Sequence, residues 1–219
     1  MGQNSILTLE QNLVFGKLAE SKYLTGNFYF TGGTALSEVY LKHRESVDLD
    51  FFSQGEFDTQ TVFNEITGIA RKLGIKLKPQ RIENTHIFLF EFLNKVQLKV
   101  DFALYPHKQL GKASQYGGFE VDSKLDIAVN KLLLVGSQRR EVKDYVDLYF
   151  LLNEFTVWDL IEGVKTKFGV KLEPFVLASD FLAVENFDFL PKMLKLLKLS
   201  ELKKFYINLS GDLGQKALA

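Results

Sequence analysis

One stretch of the sequence constrains the fold more than any other, the segment 30–52. It opens with two adjacent glycines, Gly32 and Gly33, and ends in a run where Asp48 and Asp50 alternate with apolar residues. Successive side chains of a β-strand point to opposite faces, so these two carboxylates are predicted to stand side by side. The run therefore predicts a strand with one apolar face and one acidic face.

A pair of neighbouring carboxylates is costly unless a cation lies between them. Like charges repel and lose solvation, so such a pair usually persists because a metal ion binds it, and Mg²⁺ is the oxygen-preferring candidate. The same alternation extends the strand back to Arg44 and places Arg44 and Ser46 on the face of Asp48 and Asp50.

The glycine pair is predicted to be a phosphate-binding turn. A short aromatic strand over 27–31 precedes it, and Thr34 can cap a helix over 35–41. This order presents free backbone N–H groups and the positive end of a helix. A tight turn without ligand explains a glycine pair equally well by itself, and the nearby carboxylates favour the phosphate interpretation.

A third acid is expected from a neighbouring strand. Period-two alternation predicts strands over 75–78, 85–93 and 96–105, and Asp101 falls on the polar face of the last of them. Three clustered carboxylates can bind two metal ions that support an in-line displacement at phosphorus. In the alternative, Asp101 merely pairs with Lys99 or faces water.

After Gly117-Gly118 the hydrophobic period changes from two to 3.6, so we place a domain boundary near residue 120. Residues 1–120 would form a catalytic core and 121–219 a helical domain. Lys131 interrupts an apolar helix surface and would face solvent, or else reach a nucleotide. Asp144 and Asp147 lie one turn apart on the next helix, where ion pairs on the helix surface are the simpler interpretation.

Composition excludes some classes of function and gives others no support. The chain has no cysteine, which excludes disulfides and thiolate metal sites, and its 27 basic and 27 acidic residues balance. No basic leader or long apolar run is present, so we expect a soluble, cytoplasmic protein with no membrane span. Residues 186–219 hold six lysines against three acids, a local charge of +3 that would suit RNA or an ordinary solvated helix face.

Taken together, the motifs resemble a known family. Gly32-Gly33-Thr34-Ala35-Leu36, the run His43-Arg44-x-Ser46-x-Asp48-Leu49-Asp50-Phe51, Lys131, and Lys143-Asp144-x-x-Asp147-Leu148-Tyr149 occur in that order. The set resembles the AbiEii-type nucleotidyltransferase toxins, a branch of the DNA polymerase β-like nucleotidyltransferase superfamily. The resemblance covers residues 28–152.

The resemblance implies an α+β fold, with a mixed-sheet nucleotidyltransferase core flanked by helices and followed by a helical domain that closes over the nucleotide. It implies a Mg²⁺-dependent enzyme, with two ions or with Mn²⁺ instead, that moves a nucleoside monophosphate from an NTP to an acceptor such as tRNA. The protein would act as the toxin of a toxin–antitoxin (abortive infection) system, neutralised by a cognate antitoxin.

Together, the strand pattern and the resemblance give three groups of expected site residues, with Asp101 assigned from its strand position. The catalytic set is Asp48, Asp50, Lys131 and Asp144, and the metal ligands are Asp48, Asp50 and Asp101. The nucleotide-binding set is Gly32, Gly33, Thr34, Arg44, Ser46 and Lys131.

Other functions remain compatible with the same residues. The chain could be a nucleotide- or partner-binding module without catalysis, or it could nucleotidylate a small molecule or a protein. A purely structural protein would need Arg or Lys side chains on the acidic face.

Overall fold

The computed structural model of the protein describes residues 5–218, and it describes side chains as far as residue 215. The chain forms two compact units. The sheet unit runs up to Tyr40 and continues over Ser46–Lys108 and Lys112–Ser123. The helical unit contains Leu41–Glu45, Gln109–Gly111 and the chain from Lys124 onward. Periodicity gave no sign that these two short segments belong with the helical unit.

A seven-stranded mixed sheet forms the first unit. Its strands are β1 (Tyr29–Thr31), β2 (Leu49–Ser53), β3 (Lys76–Ile82), β4 (Thr85–Glu91), β5 (Gln97–Leu104), β6 (Ser114–Tyr116) and β7 (Phe119–Val121). They lie in the order β3-β4-β5-β2-β1-β7-β6, with β2/β5 and β1/β7 parallel and the other pairs antiparallel. The predicted α+β class with a mixed sheet is confirmed.

Four helices belong to the sheet unit. They are α1 (Leu9–Leu18), α2 (Lys22–Asn27), α3 (Gly32–Ala35), which continues as a π-helical turn over Leu36–Leu41, and α4 (Thr59–Leu73). The capping box of Thr8 and Gln11 opens α1 as its sequence predicts. Gly74 ends α4 with φ +65°, the left-handed conformation that favours glycine after the last turn of a helix. Helix α2 and strands β6 and β7 were not predicted.

The core of the sheet unit is aromatic, and it holds β2 in place. Phe51 is fully buried and stacks on Phe102 of the neighbouring parallel strand, with ring centroids 5.2 Å apart. Phe15 of α1 packs against both Phe51 and Phe30. Because Leu49 and Phe51 are buried on one face of β2, Asp50 belongs to the other face, and Asp48 immediately precedes the strand.

Several predicted inward positions are wrong. The apolar pattern of 8–19 predicts that Leu9 and Leu13 pack inward, but they are 86% and 45% exposed, and Phe15 is buried instead. The pattern of 59–73 likewise predicts an inward Phe63, but this residue is 40% exposed. The buried faces of α1 and α4 are therefore narrower than the apolar sequence pattern of these helices.

The helical unit is built from five α-helices and one short 3₁₀-helix. They are α5 (Lys124–Gly136), α6 (Val142–Leu151), α7 (Val157–Phe168), α8 (Pro174–Phe181), the 3₁₀-helix Leu182–Asn186, and α9 (Leu199–Leu218). Residues 187–198 contain no helix. The periodicity after residue 157 predicts helices with a break near Pro191, and this segment contains that break. None of the helices over residues 5–218 is long and apolar enough to cross a membrane.

Candidate active site

The glycine turn is fixed by its contact with Asp50. Thr31, at the end of β1, pairs in register with Asp50 of β2, and Gly32 follows with φ +74°. A Cβ atom built on Gly32 would come within 2.9 Å of Asp50 Cγ, so only glycine fits at this position. Gly33 is the next residue of the short helix α3.

Thr34 does not cap the helix as predicted. Helix α3 begins at Gly32, which places Thr34 inside the first turn. Its buried Oγ1 donates a short hydrogen bond to the backbone carbonyl of Asp48. This bond ties the glycine turn to the residue that precedes β2, so Thr34 positions Asp48 through its backbone.

The predicted third acid lies beside the first two. In the parallel pairing of β2 with β5, Asp50 is in register with Asp101. Asp101 is only 8% exposed, and its Oδ1 is a buried acceptor without a hydrogen-bond partner. A buried acceptor of this kind is costly unless a cation or a donor meets it.

Lys99 reaches the same acidic surface. Its Nζ lies 2.6 Å from Asp101 Oδ2 and 4.0 Å from Asp48 Oδ2. Burial alone would lower the pKa of Lys99, but the hydrogen bond and charge of Asp101 and the charges of Asp48 and Asp50 outweigh it and raise the pKa. Burial raises the pKa of Asp101, with Lys99 opposing the shift. The pairing of Lys99 with Asp101, expected as the alternative to metal binding, is therefore present.

Two observations bear on whether this acidic surface can bind Mg²⁺. Within the described part of the chain, no group of three or more His, Cys, Asp or Glu side chains is arranged to hold a metal ion. The donor set is nevertheless of the hard carboxylate type that Mg²⁺ prefers, and Asp101 Oδ1 is a buried acceptor still without a partner. Asp48, Asp50 and Asp101 are thus chemically suited to the ion, with an ammonium group now beside them.

The helical unit contains a second charged cluster, centred on Lys131. This residue is 6% exposed and does not face solvent, because its Nζ lies 2.6 Å from Asp144 Oδ1 and 2.7 Å from Asp147 Oδ2. Burial would lower the pKa of Lys131, but the charges of Asp147 and Asp144 outweigh it and raise the pKa. The lysine therefore stays a cation inside the fold.

Asp147 holds this cluster together. Arg44 donates from Nε and Nη2 to its two oxygens at 2.6 and 2.8 Å, and His43 Nε2 lies 2.8 Å from Oδ1. The expected surface ion pairs of α6 are wrong, since Asp144 and Asp147 are 1% and 0% exposed. Burial lowers the pKa of His43, and the cations Arg44 and Lys131 add to that shift against the hydrogen bond and charge of Asp147, so the net direction favours the neutral imidazole.

The two residues predicted to extend β2 do not lie on that strand. Arg44 belongs to the helical unit, where it is 2% exposed and forms an isolated bridge with Met193. Ser46 lies in the sheet unit, and its carbonyl accepts a hydrogen bond from Gln11 Nε2. The strand begins only at Leu49, because the chain at Arg44 is held by Asp147 instead of a neighbouring strand.

Asp144 differs from Asp147 in having one oxygen still open to hydrogen bonding. Its Oδ2 is buried without a hydrogen-bond partner, although Arg139 Nε approaches to 3.4 Å. Arg139 is much the more exposed of the two, with 45% of its side chain accessible. Of the two acids on α6, Asp144 therefore keeps acceptor capacity for a further group, and Asp147 is saturated by its partners.

Comparison with known proteins identifies the family. Residues 18–204 match the family described as "Nucleotidyl transferase AbiEii toxin, Type IV TA system". The chain belongs to the AbiEii family. It is therefore a nucleotidyltransferase, and the family assigns it a nucleotide substrate and the toxin role in a toxin–antitoxin system, with an antitoxin as its partner.

Solved structures show the same fold. The AbiEii chain is similar to JHP933 from Helicobacter pylori, with a TM-score of 0.56, 17% identity, and coverage of 95% of this chain and 90% of that one. It is also similar to a candidate nucleotidyltransferase of H. pylori, with a TM-score of 0.58, 17% identity, and coverage of 97% and 98%. No curated protein sequence matches the chain.

Three residues of this AbiEii chain have more contacts in the two charged clusters than their sequence pattern predicted. Lys99 is two positions before Asp101, so period-two alternation already put both on one face. Asp147 is three positions after Asp144, which on a helix is the same side. His43 stood in the motif without an assigned role. Each signal was present, but spacing does not tell a buried pair from an exposed one.

Proposed function

We propose that this AbiEii protein catalyses Mg²⁺-dependent transfer of a nucleoside monophosphate from an NTP to tRNA. The observation that supports it best is the register of Asp50 with Asp101 beside a turn that only Gly32 can occupy. A pair of adjacent acids next to a glycine turn that opens a helix is an arrangement suited to a metal–triphosphate substrate.

In this proposal the sheet unit binds the metal and the phosphates. Asp48, Asp50 and Asp101 would hold Mg²⁺, which supplies charge neutralisation to the triphosphate and its leaving pyrophosphate. Backbone N–H groups at Gly33 and Thr34 bind phosphate oxygens. Thr34 also keeps Asp48 in place through its hydrogen bond to the Asp48 carbonyl.

The helical unit contributes charge and an acceptor. Lys131 offers a buried, permanently charged ammonium for phosphate oxygens, and Asp147 holds that ammonium in one orientation. Asp144 has a carboxylate oxygen with no hydrogen-bond partner, which can accept a hydrogen bond or a proton from the attacking hydroxyl group of the acceptor. Positioning and electrostatics of this kind account for most of the rate in phosphoryl chemistry.

The choice of tRNA as the acceptor rests on local positive charge. The lysine-rich segment after residue 186 is the feature that favours tRNA, and Lys198 and Lys204 are exposed there. Two other lysines of this segment already have partners. Lys192 pairs with Glu45 at 2.6 Å, and Lys203 donates a hydrogen bond to the Glu185 carbonyl. An enzyme using NTP and tRNA would work in the cytoplasm.

A transfer screen tests the acceptor. Each of the four NTPs, labelled at the α-phosphate, is incubated with the protein and Mg²⁺ or Mn²⁺, with total tRNA, total protein and aminoglycosides as parallel acceptors. The proposal expects label in tRNA from one NTP, and a Lys198→Gln/Lys204→Gln variant should transfer less at low tRNA concentration, with a shallower dependence on salt than wild type because fewer phosphate contacts remain. Label only in protein or aminoglycoside would reject tRNA as the acceptor.

A further inference from the structure

The position of Lys99 is unusual for a residue on a metal-binding surface. Its ammonium lies 2.6 Å from Asp101 Oδ2 and 4.0 Å from Asp48 Oδ2, on the surface that would otherwise repel itself. A cation at this place does electrostatically what a metal ion would do. The two cannot both bind the same carboxylate oxygens at full strength.

The pairing with Lys99 leaves Asp101 incompletely satisfied. Asp101 is 8% exposed, and its Oδ1 has no hydrogen-bond partner although Oδ2 is bound by the lysine. A divalent ion could meet both needs of this carboxylate, whereas a single ammonium at 2.6 Å from Oδ2 meets one. This buried, unpartnered oxygen is an observation separate from the clustering of acids.

The Lys99 side chain can also turn its ammonium group away from Asp101. Lys99 and Asp101 lie on the same strand two residues apart, and 36% of the Lys99 side chain is exposed. A four-carbon stem with one charged end can turn its ammonium into water by rotating side-chain dihedrals, with no change in the strand. Leaving Asp101 therefore requires no movement of the fold.

We propose that Lys99 is a built-in competitor of the catalytic metal, an ammonium that neutralises the acidic surface when no divalent ion is bound and leaves Asp101 when one binds. The inference rests on the proposed function, because it assumes that Asp48, Asp50 and Asp101 hold the ion. Its consequence is that the protein needs a higher metal concentration than the three carboxylates alone would require, and that its metal-free form is protected from charge repulsion.

A matched control is available on the same sheet. Lys78 Nζ lies 2.6 Å from Glu91 Oε1, the same separation as Lys99 from Asp101, but this pair joins β3 to β4. Glu91 also contacts Lys76 at 3.6 Å, so it keeps one cation when Lys78 is replaced. Lys78→Met changes the net charge exactly as much as Lys99→Met does, without touching the acidic surface.

Mn²⁺ binding, followed by electron paramagnetic resonance and by thermal unfolding, tests the inference on the full chain. Lys99→Met should bind Mn²⁺ at least tenfold more tightly than wild type, unfold at a lower temperature in EDTA, and recover more on adding Mn²⁺. Lys78→Met should follow wild type in its Mn²⁺ affinity. Lys99→Gln provides the same comparison if the Met variant does not fold.

The outcomes separate this inference from the proposed function. Equal Mn²⁺ affinity in wild type and Lys99→Met, with binding lost in Asp50→Asn, would keep the metal site and reject the role of Lys99. Weaker binding in Lys99→Met would also reject it, by making the lysine a support of the site. Absence of Mn²⁺ binding in all variants would overturn both proposals together.

Discussion

Gly32 and Asp50 are in direct contact, and the contact leaves no room for a side chain at position 32. A Cβ atom there would lie within 2.9 Å of Asp50 Cγ, and the φ of +74° disfavours any residue other than glycine. The glycine turn and the Asp50 carboxylate therefore constrain each other, since a side chain at position 32 would displace the carboxylate. A carboxylate with a fixed position is what a metal-assisted reaction requires.

Gly32→Ala should therefore abolish nucleotidyl transfer by displacing Asp50. Two effects combine in this variant, the clash and the strain of a positive φ. Gly74→Ala separates them, because Gly74 has φ +65° with nothing within 4 Å of its built Cβ. Gly74→Ala should cost about 1–2 kcal/mol of unfolding free energy and leave transfer intact. Denaturant unfolding and a transfer assay on both variants check this, and equal activity of the two would contradict it.

Thr34→Val should impair transfer with only a small loss of stability. The substitution keeps the shape of the buried side chain but removes the hydrogen bond from Oγ1 to the Asp48 carbonyl, which is worth about 1 kcal/mol. Thr34→Ser keeps the hydroxyl and should retain most of the activity. Steady-state kinetics of the three proteins check it, and a Val variant as active as wild type would show that the bond does not position Asp48.

Lys131→Met and Lys167→Met should both destabilise the protein, but only the first should lose transfer per folded molecule. Lys167 is likewise buried and lies 2.7 Å from the buried Asp126 Oδ1. Removing one partner of a buried pair costs about 3–5 kcal/mol. Urea unfolding measures the two losses, and transfer by the folded fraction at low temperature compares activities. Loss of transfer in Lys167→Met would contradict the assignment of Lys131 alone to the triphosphate.

The stabilisation by Asp147 should disappear in acid. Burial would raise the pKa of this carboxyl, but Lys131, Arg44 and His43 outweigh burial and hold the pKa well below its usual range. An acid with a depressed folded-state pKa stabilises the fold fully above its unfolded value, near pH 4, and progressively less as the pH falls below that value.

We expect the difference in unfolding free energy between wild type and Asp147→Asn to be largest near pH 7 and to shrink below about pH 4. Urea denaturation at a series of pH values measures this difference. A constant difference from pH 7 to pH 3 would mean that the contribution of Asp147 is not electrostatic.

Where one strong local pattern decides the structure, the sequence alone was sufficient to predict it. Helix α4 begins at Thr59 and ends at Leu73 because Asp58 caps it and Gly74 stops it, and both signals are local. The position of Asp50 on the face opposite the buried Leu49 and Phe51 follows from strand alternation. The register of Asp50 with Asp101 depends on the pairing of β2 with β5, which alternation does not decide. The α+β class was implied by the resemblance of the motifs to the AbiEii family.

The sequence did not predict which residues pair with each other when they lie far apart in the chain. Arg44 was read as a strand residue because alternation continues through it, yet it binds Asp147, 103 positions away. Lys131 and Asp144 were each compatible with a solvent-exposed helix face, and only their mutual burial decides otherwise. Charge and periodicity tell which residues share a face, but not which face is covered.

The most direct test of the account is transfer of label from an α-labelled NTP by wild type, Asp50→Asn and Asp188→Asn, each with Mg²⁺ and with EDTA. Asp188 is an exposed acid of the helical unit, so Asp188→Asn makes the same chemical change away from the acidic surface. We predict transfer by wild type and Asp188→Asn with Mg²⁺, none with EDTA, and none by folded Asp50→Asn under either condition. Transfer by Asp50→Asn at the wild-type rate, or transfer that persists in EDTA, would contradict the claim that β2 carries a metal-dependent active site.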